Sequence, residues 1–304
     1  MIQKAINKKN MNTTKMKSLA NSNSTPTLGE GCPKGKEGVS VIKVGGAVVE
    51  DPEQLAQLLD NFASIPGKKI LVHGGGRRAT KVAAQLGIES HMVGGRRITD
   101  GEMLSVVTMV YGGLVNKNLV AQLQAKGVNA LGLTGADMDV IRSHKRPLKK
   151  VKMDDGTDQM VDFGYVGDVD YADGDRLAQL LNSDVIPVVA PLTHDGKGNI
   201  LNTNADTMAS TVAKALAKHF DVTLIFSFEK KGVLSNPDDD DSVIPVITHD
   251  SYRQYVADGI ISGGMMPKVE NALEAVDAGV KKVVITLATN INKENEGTMI
   301  VHSS

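Results

Sequence analysis

Cysteine is almost missing from this chain of 304 residues: Cys32 stands alone. An intrachain disulfide is therefore ruled out, and a reducing, cytoplasmic setting is the simplest expectation. Cys32 is a poor nucleophile candidate, because a catalytic thiol needs a base and an electropositive setting. Net charge is nearly absent too, at −1 from 34 Lys and Arg against 35 Asp and Glu. That balance gives no reason to expect nucleic acid or an acidic membrane as partner. No uninterrupted apolar run approaches the roughly 20 residues of a membrane span, and no internal repeat is found.

Residues 1–38 lack arginine, hold few large apolar side chains and carry no acidic group before Glu30. They are expected to form a disordered tail. The absence of an apolar h-region counts against a signal peptide. A transit peptide and an over-extended start, with Met11 or Met16 as the initiator, stay open as alternatives.

What the chain does have begins at Val39. Short β-branched runs alternate with helical segments, at Val39–Val44, Lys69–Val72, Ala130–Thr134, Val185–Val189, Val222–Phe226 and Lys282–Leu287. Their nearly continuous apolar character implies cover on both faces, hence an α/β fold: a three-layer α/β/α sandwich around a mainly parallel open sheet. After Arg97, Thr99-Asp-Gly-Glu102 reads as a capping box. It opens a helix whose stripe of Met103, Val106, Val107, Val110 and Leu114 packs in the core or meets a second subunit. Asp154-Asp-Gly156 between alternating charged runs reads as the turn of an exposed hairpin, a candidate substrate lid.

The chemistry gathers at glycine turns. Lys43-Val-Gly45-Gly46 ends a strand; the glycines let an anion approach the main chain and the lysine adds a mobile cation. No Gly-Lys-Ser/Thr follows, so this is not a Walker A loop. His73-Gly74-Gly75-Gly76 ends another strand and opens a helix, where amides can face a phosphate or a developing oxyanion. His73 itself reads as a hydrogen-bonded structural residue. In Gly94-Gly95-Arg96-Arg97 one planar guanidinium suits a substrate carboxylate, the other a surface ion pair. Asn202-Thr-Asn204-Ala-Asp206 offers amides to an amide-bearing ligand; Asp206 is either a helix cap or the carboxylate that orients two lysines. Glu229-Lys-Lys231-Gly232 and Gly264-Met-Met-Pro-Lys268 complete a nucleotide pocket at the carboxyl edge of the sheet. Asp238–Asp241 reads as a solvated acidic loop and not as a metal site.

These stretches, together with Leu133-Thr-Gly-Ala-Asp137 and Val161-Asp-Phe-Gly-Tyr-Val-Gly167, resemble the amino-acid kinase superfamily from about Val39 to Val301. Within it they most resemble the N-acetylglutamate kinase family. The resemblance implies a kinase domain over 39–304, with a substrate-binding and dimerisation lobe (39–200) and a nucleotide-binding lobe (201–304). It implies ATP-dependent phosphorylation of the side-chain carboxylate of N-acetyl-L-glutamate, in arginine biosynthesis. ATP with Mg2+ would be the co-substrate, with no tightly bound cofactor and no metal site in the protein.

Carried over by residue, Lys43 and Lys268 would stabilise the transferring phosphoryl group and Asp206 would organise them. Gly75, Gly76, Arg97, Asn202 and Asn204 would bind the acylated amino acid, and Gly45, Gly46, Glu229, Lys231, Gly232 and Gly264 the nucleotide. The family's dimer is built on the helix matching 101–126, which implies a homodimer here. Glu229 departs from the family's usual aspartate by one methylene. The C-terminus lacks the arginine-binding segment of inhibited members, so arginine insensitivity is expected. The alternatives are N-succinyl-L-glutamate as acceptor, another kinase of the superfamily, or a catalytically silent nucleotide-binding relative.

Overall fold

Alternate residues of the long apolar strands face opposite ways, and each set meets its own layer of helices. The computed structural model describes residues 36–153, 156–293 and 296–303. The expected tail lies outside the described residues, apart from its last three. Eight strands form the main sheet: β1 (Gly38–Val44), β2 (Lys68–His73), β3 (Ala130–Leu133), β4 (Ile186–Val189), β5 (Asp221–Phe228), β6 (Val246–Ile247), β7 (Lys282–Leu287) and β8 (Thr298–Ile300). Their order is β6-β8-β7-β5-β1-β2-β4-β3. All neighbours pair in parallel except β7 and β8. The mainly parallel sandwich expected from the strand pattern is therefore present. The sheet takes strands from both sides of residue 200, so Lys36 onward is one compact unit.

The helices of the sandwich are α1 (Gly46–Glu50), α2 (Pro52–Ser64), α3 (Gly76–Gln85), α4 (Gly101–Val107), α5 (Asn116–Ala125), α6 (Gly174–Asn182), α7 (Ala205–Leu216), α8 (His249–Ala257) and α9 (Met265–Asp277). Val41, Val72, Leu224 and Ile285 pack with α6, α7 and α9 in one core. Their neighbours Ile42, Leu71, Ile225 and Val284 pack with α2, α3, α4 and α5 in the other. A second sheet of four strands, in the order 200–202, 192–194, 141–145 and 167–172, stands beside the first. The expected hairpin is there: Lys149–Lys152 pairs antiparallel with Asp158–Val161. It forms a separate two-stranded sheet, with Met160 62% exposed; Asp154 and Asp155 of its turn lie outside the described residues.

One local expectation fails. Asp100, not Thr99, caps α4, its Oδ1 accepting from Met103 N at 2.8 Å. Thr99 is drawn elsewhere: its backbone bonds to Phe163 and Tyr165, and its hydroxyl accepts from Asn202 Nδ2. A buried threonine tied to two other segments cannot also serve a helix end, and Glu102 then falls too early to close a box.

Between α4 and α5 the helix widens into a π-helical segment, Thr108–Val115. Met103, Val106, Val107 and Val110 face the core, as one of the two readings of the stripe required, while Met109 and Leu114 are 55% and 41% exposed. The length and apolarity of Gly101–Ala125 would suffice for a membrane span, but part of that apolar surface, 44% of the window, is buried inside this fold.

Candidate active site

Strand ends and helix starts converge on a cavity of about 510 Å³ at the carboxyl edge of β1, β2 and β5. That is an ordinary size for a small-molecule site, and its position is where open α/β sheets bind ligands. Lys43, one residue before the end of β1, places Nζ 2.8 Å from Asp206 Oδ1. Asn204 caps α7, its Oδ1 accepting from Asp206 N and Thr207 N at 2.9 and 3.1 Å. The capping role open to Asp206 is thus filled by Asn204, and the carboxylate of Asp206 is left for the lysine.

Lys268 comes from the first turn of α9, its Nζ 3.8 Å from the centroid of the Phe228 ring. Burial of its head holds its pKa below the ordinary lysine value; Lys43 adds to that effect, while Asp206 and Glu229 oppose it. Two ammonium groups therefore share the field of one aspartate.

Bare backbone lies beside this trio. Gly45 and Gly75 stand at the starts of α1 and α3, and neither helix has a side-chain cap. The first-turn N–H groups lack intrahelical partners, and at α3 the helix dipole adds to their attraction for an anion. The two turns touch: Gly74 N donates to Val44 O at 3.0 Å, and a Cβ on Gly74 would lie 3.2 Å from Gly46 N. At Gly75 a Cβ would come within 2.8 Å of the Tyr111 ring, so a larger residue would displace either the turn or the ring.

His73 behaves as the structural residue expected of it. Its Nδ1 is 2.9 Å from Gly74 O and its Nε2 3.1 Å from Asn116 Nδ2. Burial pushes its pKa down to about 4, which keeps it neutral.

The other wall carries Arg97 and Asn202, both buried. Arg97 reaches Gly76 O at 3.0 Å, Thr80 Oγ1 at 2.8 Å and Ser90 Oγ at 2.9 Å. Arg96 lines the rim and is exposed. Backbone bridges join Thr99 to Gly164 and Val166 to Asn202, so three distant segments hold this wall.

Lys43, Gly45, Gly46, Gly75, Gly76, Arg97, Asn202, Asn204, Glu229 and Lys268 all line the cavity, with Asp206 reached through Lys43. Glu229 is exposed at its mouth, 3.6 Å from Arg77. Lys231, Gly232 and Gly264 are not brought to it. Lys231 and Lys230 pair instead with Asp241 and Asp240 of the acidic loop. Gly232 is packed under Thr298, where a Cβ would lie 2.7 Å from Oγ1. Gly264 starts α9, four residues before Lys268.

Two lining residues escaped the sequence reading. Arg146 stacks over Phe163 and holds Asp168 through Nε and Nη2 at 3.0 and 2.6 Å. Tyr111 presses its ring on Gly75 from the π-helical segment. Arg146 has no glycine beside it, and the Gly112-Gly113 pair after Tyr111 lies inside an apolar helical segment, not at a strand end.

Cations gathered round one carboxylate, beside helix amides without caps, suit the transfer of an anionic group, and with this parallel sheet they define a phosphotransferase. The chain belongs to the amino acid kinase family, whose family model matches residues 38–287. It is 65% identical over 265 residues to the acetylglutamate kinase of Bacteroides thetaiotaomicron, a match covering 87% of this chain and 99% of that one. The acetylglutamate kinase of Cytophaga hutchinsonii is 51% identical over 251 residues, covering 83% and 92%. Among solved structures, smu.665 from Streptococcus mutans superposes with a TM-score of 0.65 at 29% identity, covering 86% of this chain and 98% of that one.

Proposed function

We propose that the protein transfers the γ-phosphoryl group of ATP to the side-chain carboxylate of N-acetyl-L-glutamate, giving an acyl phosphate for arginine biosynthesis. The observation that carries this reading is the Lys43–Asp206–Lys268 cluster beside the amides of Gly45, Gly46, Gly75 and Gly76. The acetylglutamate kinases it resembles match it over nearly their whole length, which supports the choice of acceptor.

The acceptor carboxylate is ionised at neutral pH, so the reaction needs no general base. It needs two anions brought together and the charge on the in-flight phosphoryl group neutralised. In this reading Lys43 and Lys268 flank that group, and Asp206 keeps both ammonium groups charged and apart. The glycine amides complete the cradle. Arg97 and the starting amides of α3 hold the α-carboxylate, and Asn202 with Asn204 faces the acylamide. Gly45, Gly46 and Glu229 face the nucleotide, and the turns at Lys231, Gly232 and Gly264 border its outer end.

Mg2+ enters as part of the nucleotide co-substrate. Among the described residues no three His, Cys, Asp or Glu side chains gather to hold an ion by themselves. A homodimer through the helix matching 101–126 is part of the proposal, supported by the exposed Met109 and Leu114 on its outer face.

The test is hydroxylamine trapping with MgATP and N-acetyl-L-glutamate, N-succinyl-L-glutamate or free glutamate. Hydroxamate from N-acetyl-L-glutamate is the expected result. A product from the succinyl compound alone would reassign the acyl group, whose wall includes Arg146 next to Val166 and Asn202. No product from any acceptor would overturn the reading.

A further inference from the structure

The acceptor's second carboxylate needs more donors than Arg97 has free. Nη1 of Arg97 is bonded to Ser90 Oγ and Met103 Sδ, and Nη2 to Gly76 O and Thr80 Oγ1. Each of these nitrogens carries two hydrogens, so both are committed and Nε–H alone is left for a ligand. An arginine so tied cannot offer the two-pronged fork that makes it a strong carboxylate reader without giving up part of its scaffold.

Tyr111 stands where the missing donor belongs. It lines the cavity, is 5% exposed, and its hydroxyl lies in the field of the Arg97 guanidinium. A Cβ placed on Gly76 would lie 3.9 Å from both Arg97 Nη2 and Tyr111 Oη, so the two groups flank the same open spot above that glycine. Burial raises the phenol's pKa above its ordinary value, against the opposing charge of Arg97, and the hydroxyl stays protonated at neutral pH. The residue sits on the π-helical segment, and such widened turns occur often at functional sites.

We propose that Tyr111 is a substrate-binding residue of this kinase: its hydroxyl, beside the committed Arg97 guanidinium, donates its proton to the α-carboxylate of the acylated glutamate seated over Gly76. The inference rests on the function proposed above. It adds a residue that reads the acceptor and takes no part in the phosphoryl step.

The test uses the full chain with Tyr111→Phe, which keeps the ring that packs on Gly75. The KM for N-acetyl-L-glutamate is expected to rise about 10- to 100-fold, the usual range for a hydrogen bond to a charged group. The KM for ATP and kcat should stay within about twofold, since neither nucleotide nor transferring group touches the phenol in this reading.

A second measurement separates recognition from a loosened fold. 4-Acetamidobutanoate, which lacks the α-carboxylate, should inhibit wild type and Tyr111→Phe with the same Ki. An unaltered KM for the acceptor, or an equal loss of affinity for this analogue, would overturn the inference while leaving the proposed function intact. A wild-type protein inactive on every acylated glutamate would overturn both.

Discussion

Among the lysine–aspartate pairs of this molecule, Lys43–Asp206 and Lys231–Asp241 share their composition and little else. Lys43 is 16% exposed and meets Asp206 at the end of the central strand, with a second ammonium in the same field. Lys231 is 44% exposed and meets Asp241, itself 85% exposed, on an acidic loop. In the first pair the carboxylate is outnumbered by cations; in the second the lysines of 230–231 are outnumbered by the aspartates of 238–241. The site keeps a positive field that water screens only in part, and the loop holds none. The chemistry therefore follows from burial and from the ratio of charges, not from the presence of lysine beside aspartate.

The contrast is broken most directly at Lys268. Lys268→Ala should lower kcat on the order of 10²–10³, as for loss of a single electrostatic stabiliser of a transition state. Turnover near that of the wild type in the hydroxamate assay would reject its role. Asp206→Asn tests the same field from the other side, with a smaller expected fall of roughly 10- to 100-fold from misplaced lysines.

The pH profile of kcat sharpens that second variant. Lys268 works protonated, so activity is lost as pH rises through its pKa, which burial already holds below the ordinary lysine value. Removing the Asp206 charge lowers that pKa further, and the alkaline limb should move to lower pH. A limb that stays in place, or moves up, would show that another group governs it.

His73 provides a titratable group in the same turn that acts on stability and not on turnover. With a folded pKa of about 4 against 6.5 in the open chain, the unfolded state binds the proton more readily between those values. Its contribution is complete above pH 6.5 and is lost as pH falls towards 4, by about 3 kcal/mol in all. Urea unfolding at pH 7 and pH 4.5 should show the loss in the wild type and a flatter profile in His73→Gln. Equal slopes in the two proteins would remove His73 from the account.

Much of this arrangement was legible before any coordinates. The six strands announced themselves because most of them are buried on both faces, which keeps their runs nearly continuous in apolar residues. The glycine turns did so because strings of glycine cost entropy that an ordinary connector avoids. The edge strand Val246–Ile247 and its neighbour Thr298–Ile300 carried no such signal, being two and three residues long. The strand Ile141–Lys145 reads Ile-Arg-Ser-His-Lys and is held by cross-strand pairing that a single segment does not display. Thr99 was misread as a cap because its partners, Phe163, Tyr165 and Asn202, lie far along the chain. Arg146 and Tyr111 were missed for the same reason, since each matters through what it touches and not through its immediate neighbours.

The smallest expected effect decides how far the surface pair belongs to the nucleotide site. The family resemblance puts Lys231 at the nucleotide, whereas the fold turns its side chain to Asp241 and out of the cavity lining. An exposed pair of this kind contributes little to stability, and salt screens it. In the double variant Lys230→Ala, Lys231→Ala, kcat should stay within about twofold and the KM for ATP should rise less than about threefold. Any rise should vanish in 0.5 M salt, because it would come only from long-range repulsion between the unbalanced aspartates of 238–241 and an anionic nucleotide. A tenfold rise in the KM for ATP that persists at high salt would mean direct contact. Asp241 would then compete with the nucleotide for Lys231, and the two lysine–aspartate pairs would be successive parts of one site.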